Sequence, residues 1–241
     1  MSKDNPWDYF AEEYHKLVCD SGDIYHRTYL NPLILKLLGD IGNKKVLDLA
    51  CGNGYFSKIL ADKKAIVTGV DYSKKLISIA NHNLDKKVTF LVGSSGDMNF
   101  LKDNSFDFIV SNMAFHDIKE IAKTIKECSR LIKTKHKLIF SIPHPVFHLS
   151  EKIKENNKYF RKIQKYMSIL TLKHPHYNGV KNYHRPIEYY LNLLFKNNFV
   201  VSGFHEITTK HKKGKIVKDL SILCYKKEIP TFLIIEAISV K

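Results

Sequence analysis

Apolar residues run almost without interruption through five short segments: KKVLDLA (44–50), AIVTGVD (65–71), VTFLVG (88–93), FDFIVSN (106–112) and KLIFSI (137–142). Each is rich in β-branched or aromatic side chains. The lack of alternation predicts parallel strands covered on both faces. Between them the apolar positions switch to helical spacing. One such set is Leu76, Ile77, Ala80 and Leu84, behind an N-capping Ser73; another is Ile118, Ile121, Ile125, Cys128 and Ile132. Strands that alternate with helices predict βαβ units and a doubly wound α/β sheet.

The end of the chain changes rhythm. NFVVSGFHEI (198–207) and TFLIIEAISV (231–240) read as two more strands that form an antiparallel hairpin at the sheet edge, and KDLSILCYKK between them reads as a helix. The expected fold is a Rossmann-like, seven-stranded sheet, mostly parallel with an antiparallel edge strand. WDYFAEEYHKLV and RTYLNPLILKLLG predict two amphipathic helices ahead of the first strand. Residues 143–185 are too long for an ordinary strand–helix connection and too rich in aromatics and histidines for disorder. The expected organisation is one domain: residues 1–43 as an N-terminal helical cap, 44–142 as the ligand-binding core, 143–185 as a substrate lid and 186–241 as the rest of the sheet.

Composition narrows the class. The chain has 241 residues, 44% hydrophobic and 26% charged, enough for a sizeable core. FLIIEAISV is far shorter than the ~20 apolar residues that span a bilayer, and the acidic start MSKDNPWDYFAEEY argues against a secretory signal. Cys19, Cys51, Cys128 and Cys224 are scattered, so neither a disulfide framework nor a metal knuckle is expected, and a cytoplasmic location is. The net charge of +15 comes mostly from dispersed lysine. That favours a general compositional bias and leaves a selected anionic partner as the alternative.

The sharpest local feature is VLDLACGNGYFSKIL, in which a strand carrying Asp48 runs into Ala50, Cys51, Gly52-x-Gly54 and then a helical pattern. Glycines there allow a tight turn and a close approach of backbone to ligand. The competing dinucleotide fingerprint requires a third glycine, and Ser57 stands at that position. The segment resembles motif I of class I S-adenosylmethionine-dependent methyltransferases, and later segments resemble that family in order, including HRPIEYYLNLLFKNNF, similar to the type 11 small-molecule branch. The resemblance implies S-adenosylmethionine as cofactor, S-adenosylhomocysteine as product, and a role for each matching residue. Asp71 in GVDYS would accept from both ribose hydroxyls, with Tyr72 and Leu76 along the adenine. Asp97 and Met98 in GSSGDMNFLKDNSFD would meet the adenine amino group. Ser111, Asn112 and Met113 in SFDFIVSNMAFHDI would lie near the methionine part.

For chemistry on the acceptor, His116 and His144 are the candidate base or substrate contacts, because both follow strands at the expected ligand-binding edge. Tyr14, Tyr25, Arg27, Phe147 and His184 are candidates for the acceptor wall. No histidine has metal-ligand spacing, so no metal is expected. The fourth-strand segment reads SNMA rather than the Asn-Pro-Pro-Tyr type found in exocyclic-amine methyltransferases, which favours a small organic acceptor methylated on O, N or C. An RNA acceptor is the second reading, drawn from the basic and aromatic residues of 151–185, and a non-catalytic S-adenosylmethionine-binding protein is the third. No membrane partner is expected.

Overall fold

A computed structural model describes residues 5–83, 88–156, 158–212, 215–216 and 227–241. In chain order the elements are α1 (Pro6–Tyr9), α2 (Ala11–Val18), a π-helical turn (His26–Leu30), α3 (Asn31–Leu38), β1 (Lys45–Leu49), α4 (Tyr55–Asp62), β2 (Ile66–Asp71) and α5 (Lys74–Asn83). They continue as β3 (Val88–Val92), β4 (Phe106–Asn112), α6 (Ile121–Leu131), β5 (Ile132–Pro143), α7 (Pro145–His148), β6 (Glu151–Glu155) and β7 (Lys158–Lys162). Then come β8 (Leu170–Lys173), β9 (Lys181–His184), α8 (Ile187–Lys196), β10 (Phe199–Ile207), β11 (His211–Lys212), β12 (Lys215–Ile216) and β13 (Phe232–Ser239). The expected helix KDLSILCYKK, apart from Lys227, lies outside the described residues, as do Leu84 and Cys224.

Seven strands form one sheet in the order β10-β13-β5-β4-β1-β2-β3. β1 pairs in parallel with β2 and β4, as do β2 with β3 and β4 with β5. The expected antiparallel pair closes one edge. The reversed strand is β13, antiparallel to both β10 and β5, so it sits one place in from the edge. Its run FLIIEAIS is buried almost throughout because two strands and two faces cover it.

Two apolar clusters cover the two faces. One gathers Leu47, Ile109, Ile125, Cys128, Leu138, Phe140, Tyr190 and Leu194 under α6 and α8. The other gathers Ile34, Leu38, Val46, Phe56, Leu60, Val67, Ile139 and Ile234 under α3 and α4. Phe140 stacks on Phe115 with ring centroids 4.6 Å apart and meets Tyr190 at 6.0 Å, which ties the sheet to α8. Helix α6 ends one residue earlier than its apolar spacing suggests: Ile132 is extended and pairs with Phe106.

The N-terminal segment departs further from two simple helices. The first breaks at Phe10 into α1 and α2. Asp8 of α1 accepts from the Ser73 hydroxyl at 2.6 Å and from the Lys75 amide at 3.0 Å, so α1 is pinned to the start of α5 while α2 turns toward the end of β1. The second begins as the π turn, because Pro32 has no N–H to offer the Thr28 carbonyl and the turn before it widens. The insertion folds into α7 and two antiparallel hairpins, β6–β7 and β8–β9. Among the described residues no helix is long and apolar enough to cross a membrane. Cys19, Cys51 and Cys128 carry free thiols.

Two stability consequences follow. Phe140→Ala should lower unfolding free energy by about 3–5 kcal/mol in urea titrations, since the facing Phe115 and Tyr190 rings cannot close the space. Asp48 in β1 is buried and accepts from the Ser57 hydroxyl of α4 at 2.6 Å, and burial pushes its carboxyl up to about 7. Between about pH 4 and pH 7 the native state therefore holds a proton that the unfolded chain has released, and stability falls as pH rises through that window. Asp48→Asn should flatten the decline of the urea midpoint between pH 5 and pH 7; an unchanged slope would assign it to other groups.

Candidate active site

Beyond Leu49 the chain reverses through three left-handed residues, Ala50 (φ 57°), Gly52 (φ 58°) and Gly54 (φ 79°), and enters α4 at Tyr55. A Cβ on Gly52 would stand 3.2 Å from the Tyr14 ring, which α2 lays over the turn. The Gly52 amide donates to one Asp71 carboxylate oxygen and the Ser73 amide to the other, both at 2.8 Å. Burial raises the Asp71 pKa and these two bonds oppose the rise. Each oxygen keeps a further lone pair for a ligand. Cys51 points beneath the turn, where a Cβ on Gly69 would come within 2.9 Å of its sulfur. Burial pushes that thiol up, so Cys51 is a packing residue.

The opposite wall begins where β4 ends. Asn112 donates to Asn31 of α3 at 2.9 Å and to the Tyr55 hydroxyl at 3.3 Å, and accepts from Ser141 of β5 at 2.7 Å. Met113 follows with φ 57°, its amide held by the Ser141 hydroxyl at 2.8 Å. The chain then loops through residues 114–120 around Arg185, which donates to the carbonyls of Phe115, Ile118 and Lys119 at 3.3, 2.6 and 2.9 Å. That loop presents Asp117, which sequence reasoning passed over. Its carboxylate accepts from the Asn182 amide of β9 at 2.6 Å and lies 3.5 Å from His116 Nε2. Burial drives the Asp117 pKa well above the usual carboxylate range. Burial, with His148, His174 and Arg185 adding to it, drives His116 well below its ordinary value, so the imidazole is neutral near pH 7.

Between these walls lies a cavity of about 680 Å³. Its floor is Ala50, Gly52, Asp71 and Leu76, and one side is the loop Gly93–Gly96. Its far end is Asn112, Met113 and Asp117, and its roof is Pro6 and Trp7 of α1 with Val180 and Tyr183 of the β8–β9 hairpin. Trp7 meets Tyr14, His174 and Tyr177 edge-on at 5.7, 5.7 and 5.3 Å, joining the N-terminal segment to the insertion.

The cavity thus brings together Tyr14, Ala50, Gly52, Asp71, Tyr72, Leu76, Asn112 and Met113. Other expected site residues lie outside its wall. Asp48 is turned to Ser57, Gly54 opens α4, and Ser111 donates to the Leu49 carbonyl at 3.0 Å. Asp97 is exposed and bonds Asn99, while Met98 is buried with its amide on Glu127 and its carbonyl on Arg130; the turn at 94–97 offers Ser94, Ser95 and Gly96 to the cavity instead. His116 stands behind Asp117. His144 is buried and hydrogen-bonds Glu206 of β10 at 2.8 Å, with Phe147 tilted against it at 5.0 Å. Tyr25 packs on Phe232, Arg27 is exposed beside Ser21, and His184 bonds the Tyr166 carbonyl at 2.8 Å. Among the described residues no group of three or more His, Cys, Asp or Glu could hold a metal ion.

The donor set fits a sulfonium nucleoside. Asp71 suits a vicinal diol, the apolar Leu76 and Val70 with the exposed Tyr72 suit a flat base, and the serines of the 93–96 loop suit its polar edge. Backbone at Gly52 suits close approach of an amino-acid moiety.

The family described as "Methyltransferase domain" matches residues 41–192. The chain is 34% identical over 117 residues to a ubiquinone biosynthesis O-methyltransferase of Coxiella burnetii, covering 46% of this chain and 50% of that protein. It is 33% identical over 108 residues to a demethylmenaquinone methyltransferase of Thermotoga maritima, covering 44% and 46%. The chain therefore spans about half the length of these curated relatives. A solved S-adenosylmethionine-dependent methyltransferase from Mesorhizobium loti shares the fold with a TM-score of 0.74 at 22% identity, over 86% of this chain and 96% of that one. The family match covers more than half of the chain and holds both the β1–turn–α4 unit that carries Gly52 and the end of β2 that carries Asp71, and so the protein belongs to the methyltransferase-domain family.

Proposed function

We propose that the protein transfers the methyl group of S-adenosylmethionine to a small organic acceptor. The observation that carries this reading is one roofed cavity that runs from the Gly52–Asp71 turn to Asp117. Its volume of about 680 Å³ lies within the range of small-molecule sites. When bound, the cofactor supplies an electrophilic methyl on a charged sulfur. The chain's own task is to align the acceptor in line with that methyl and to exclude water.

Asp71 and the loop Ser94–Gly96 hold the nucleoside; Asn112 and the left-handed Met113 border the methyl. Asp117 takes the proton from an acceptor hydroxyl or amine. Burial raises its pKa and so strengthens it as a proton acceptor, and Asn182 and His116 position it. Residues 1–43 serve as a cap and 143–185 as the substrate lid, meeting over the cavity at Trp7, His174 and Tyr177. Two relatives are named for ubiquinone biosynthesis and for demethylmenaquinone methylation, which supports a compact ring as acceptor. The cover that Pro6, Trp7, Val180 and Tyr183 place over the cavity favours a compact acceptor over a polynucleotide.

Three outcomes test the reading. Asp71→Ala should weaken cofactor binding by at least about tenfold in calorimetry, because the ribose hydroxyls and the Gly52 and Ser73 amides all lose their acceptor; unchanged binding would overturn the assignment. Asp117→Asn should lower kcat by about 100- to 10,000-fold while cofactor affinity stays within about twofold. A matching loss of affinity would make Asp117 a cofactor contact. Radiolabelled S-adenosylmethionine offered with fractionated metabolites, RNA and protein should label the metabolite fraction, and label found solely in RNA would overturn the acceptor class.

A further inference from the structure

From Asn156 to Ile187 the chain contains no aspartate or glutamate but seven lysines and arginines. Within that stretch the structure leaves four large apolar side chains in solvent: Phe160 at 49% exposure, Ile163 at 45%, Met167 at 64% and Ile169 at 60%. Lys158, Lys162 and Lys165 are exposed between and beside them. Single exposed apolar residues are ordinary on a monomer, but four within ten residues of one connector, interleaved with cations, mark an interaction surface.

The aromatic residues nearby face other tasks. Tyr159 lies under the Lys152 ammonium at 3.8 Å from its ring centre. The Tyr166 hydroxyl accepts from the Ile187 amide at 3.0 Å, and Tyr177 is buried against Trp7 and Phe10. The surface is therefore mainly aliphatic and thioether plus lysine, with Phe160 its one exposed ring.

That composition discriminates between anionic partners. A polynucleotide offers phosphates to the lysines, but it stacks bases on aromatic rings, and Ile163, Met167 and Ile169 gain nothing from stacking. A bilayer of anionic lipid satisfies both halves. The apolar tips enter the boundary between headgroups and acyl chains, while the lysine ammoniums stay level with the phosphates and bury their methylene stems. We propose that residues 158–169, from β7 through the connector to β8, form a docking surface for an anionic lipid membrane. The chain passes directly from this surface into the β8–β9 hairpin that roofs the cavity. The proposal goes beyond the methyl-transfer reading and does not depend on it.

Co-sedimentation of the full chain with lipid vesicles tests it without measuring methyl transfer. The protein should bind vesicles of mixed phosphatidylglycerol and phosphatidylcholine at least about tenfold more tightly than vesicles of phosphatidylcholine alone. The triple variant Ile163→Ser, Met167→Ser, Ile169→Ser should bind the mixed vesicles at least about tenfold more weakly, with an unchanged melting temperature and unchanged retention on transfer RNA. Lys162→Glu with Lys165→Glu should also weaken vesicle binding. Absence of binding to the mixed vesicles would overturn the proposal. So would binding that the serine triple leaves intact, since that outcome reduces the effect to the overall positive charge, and so would a serine triple that weakens transfer RNA retention as much as vesicle binding.

Discussion

The hydrogen bond from the Gly52 amide to the Asp71 carboxylate is the contact on which the site depends. It joins the C-terminal ends of two parallel neighbours, β1 and β2, across a turn that no ordinary residue adopts cheaply. A non-glycine residue in the left-handed region costs about 1–2 kcal/mol, and Ala50 occupies that region beside Gly52. The surrounding sheet over-determines the turn. β1 is held on both sides, by β2 and β4, and Tyr14 closes over the outer surface of the turn. The same bond that shapes the backbone also aims the carboxylate, so geometry and ligand chemistry are set together.

The parallel sheet explains why the second wall lies where it does. β4 ends beside β1, and its last residues are fixed by a buried polar network that reaches α3, α4 and β5 through Asn31, Tyr55 and Ser141. Such networks rigidify when every member is satisfied. The next loop is wrapped around the buried Arg185, whose three carbonyl contacts hold Asp117 toward the cavity. Asp48, Asp71 and Asp117 all carry raised pKa values because burial disfavours their charge. Stability is thus spent at one edge of the sheet, where ligand chemistry is concentrated, against a large apolar core elsewhere.

Roof and outer surface of the insertion obey different constraints. The β8–β9 hairpin packs inward, with Tyr177, Val180, Asn182 and His184 buried. The connector before it leaves its apolar residues outside. One stretch of chain therefore completes the cavity and presents an uncovered face.

The doubly wound sheet was legible in the sequence because its inner strands β1, β4 and β5 are largely buried on both faces, and burial writes itself as short unbroken apolar runs with helical spacing between them; the edge strands β3 and β10 are instead half-exposed. The Gly52 turn was legible because left-handed backbone favours glycine, and Asp71 because it ends the next strand in a segment that resembles a known motif. Asp97, Met98, His116 and His144 were named by position along the chain, yet position does not say which way a side chain turns: Arg130 and Glu127 claim the backbone of Met98, and Glu206 claims His144. Asp117, Trp7 and the 93–96 loop meet at the cavity only after segments far apart in sequence have packed. Local pattern carries burial and backbone conformation, whereas the company a polar side chain keeps is a matter of which distant elements the fold sets beside it.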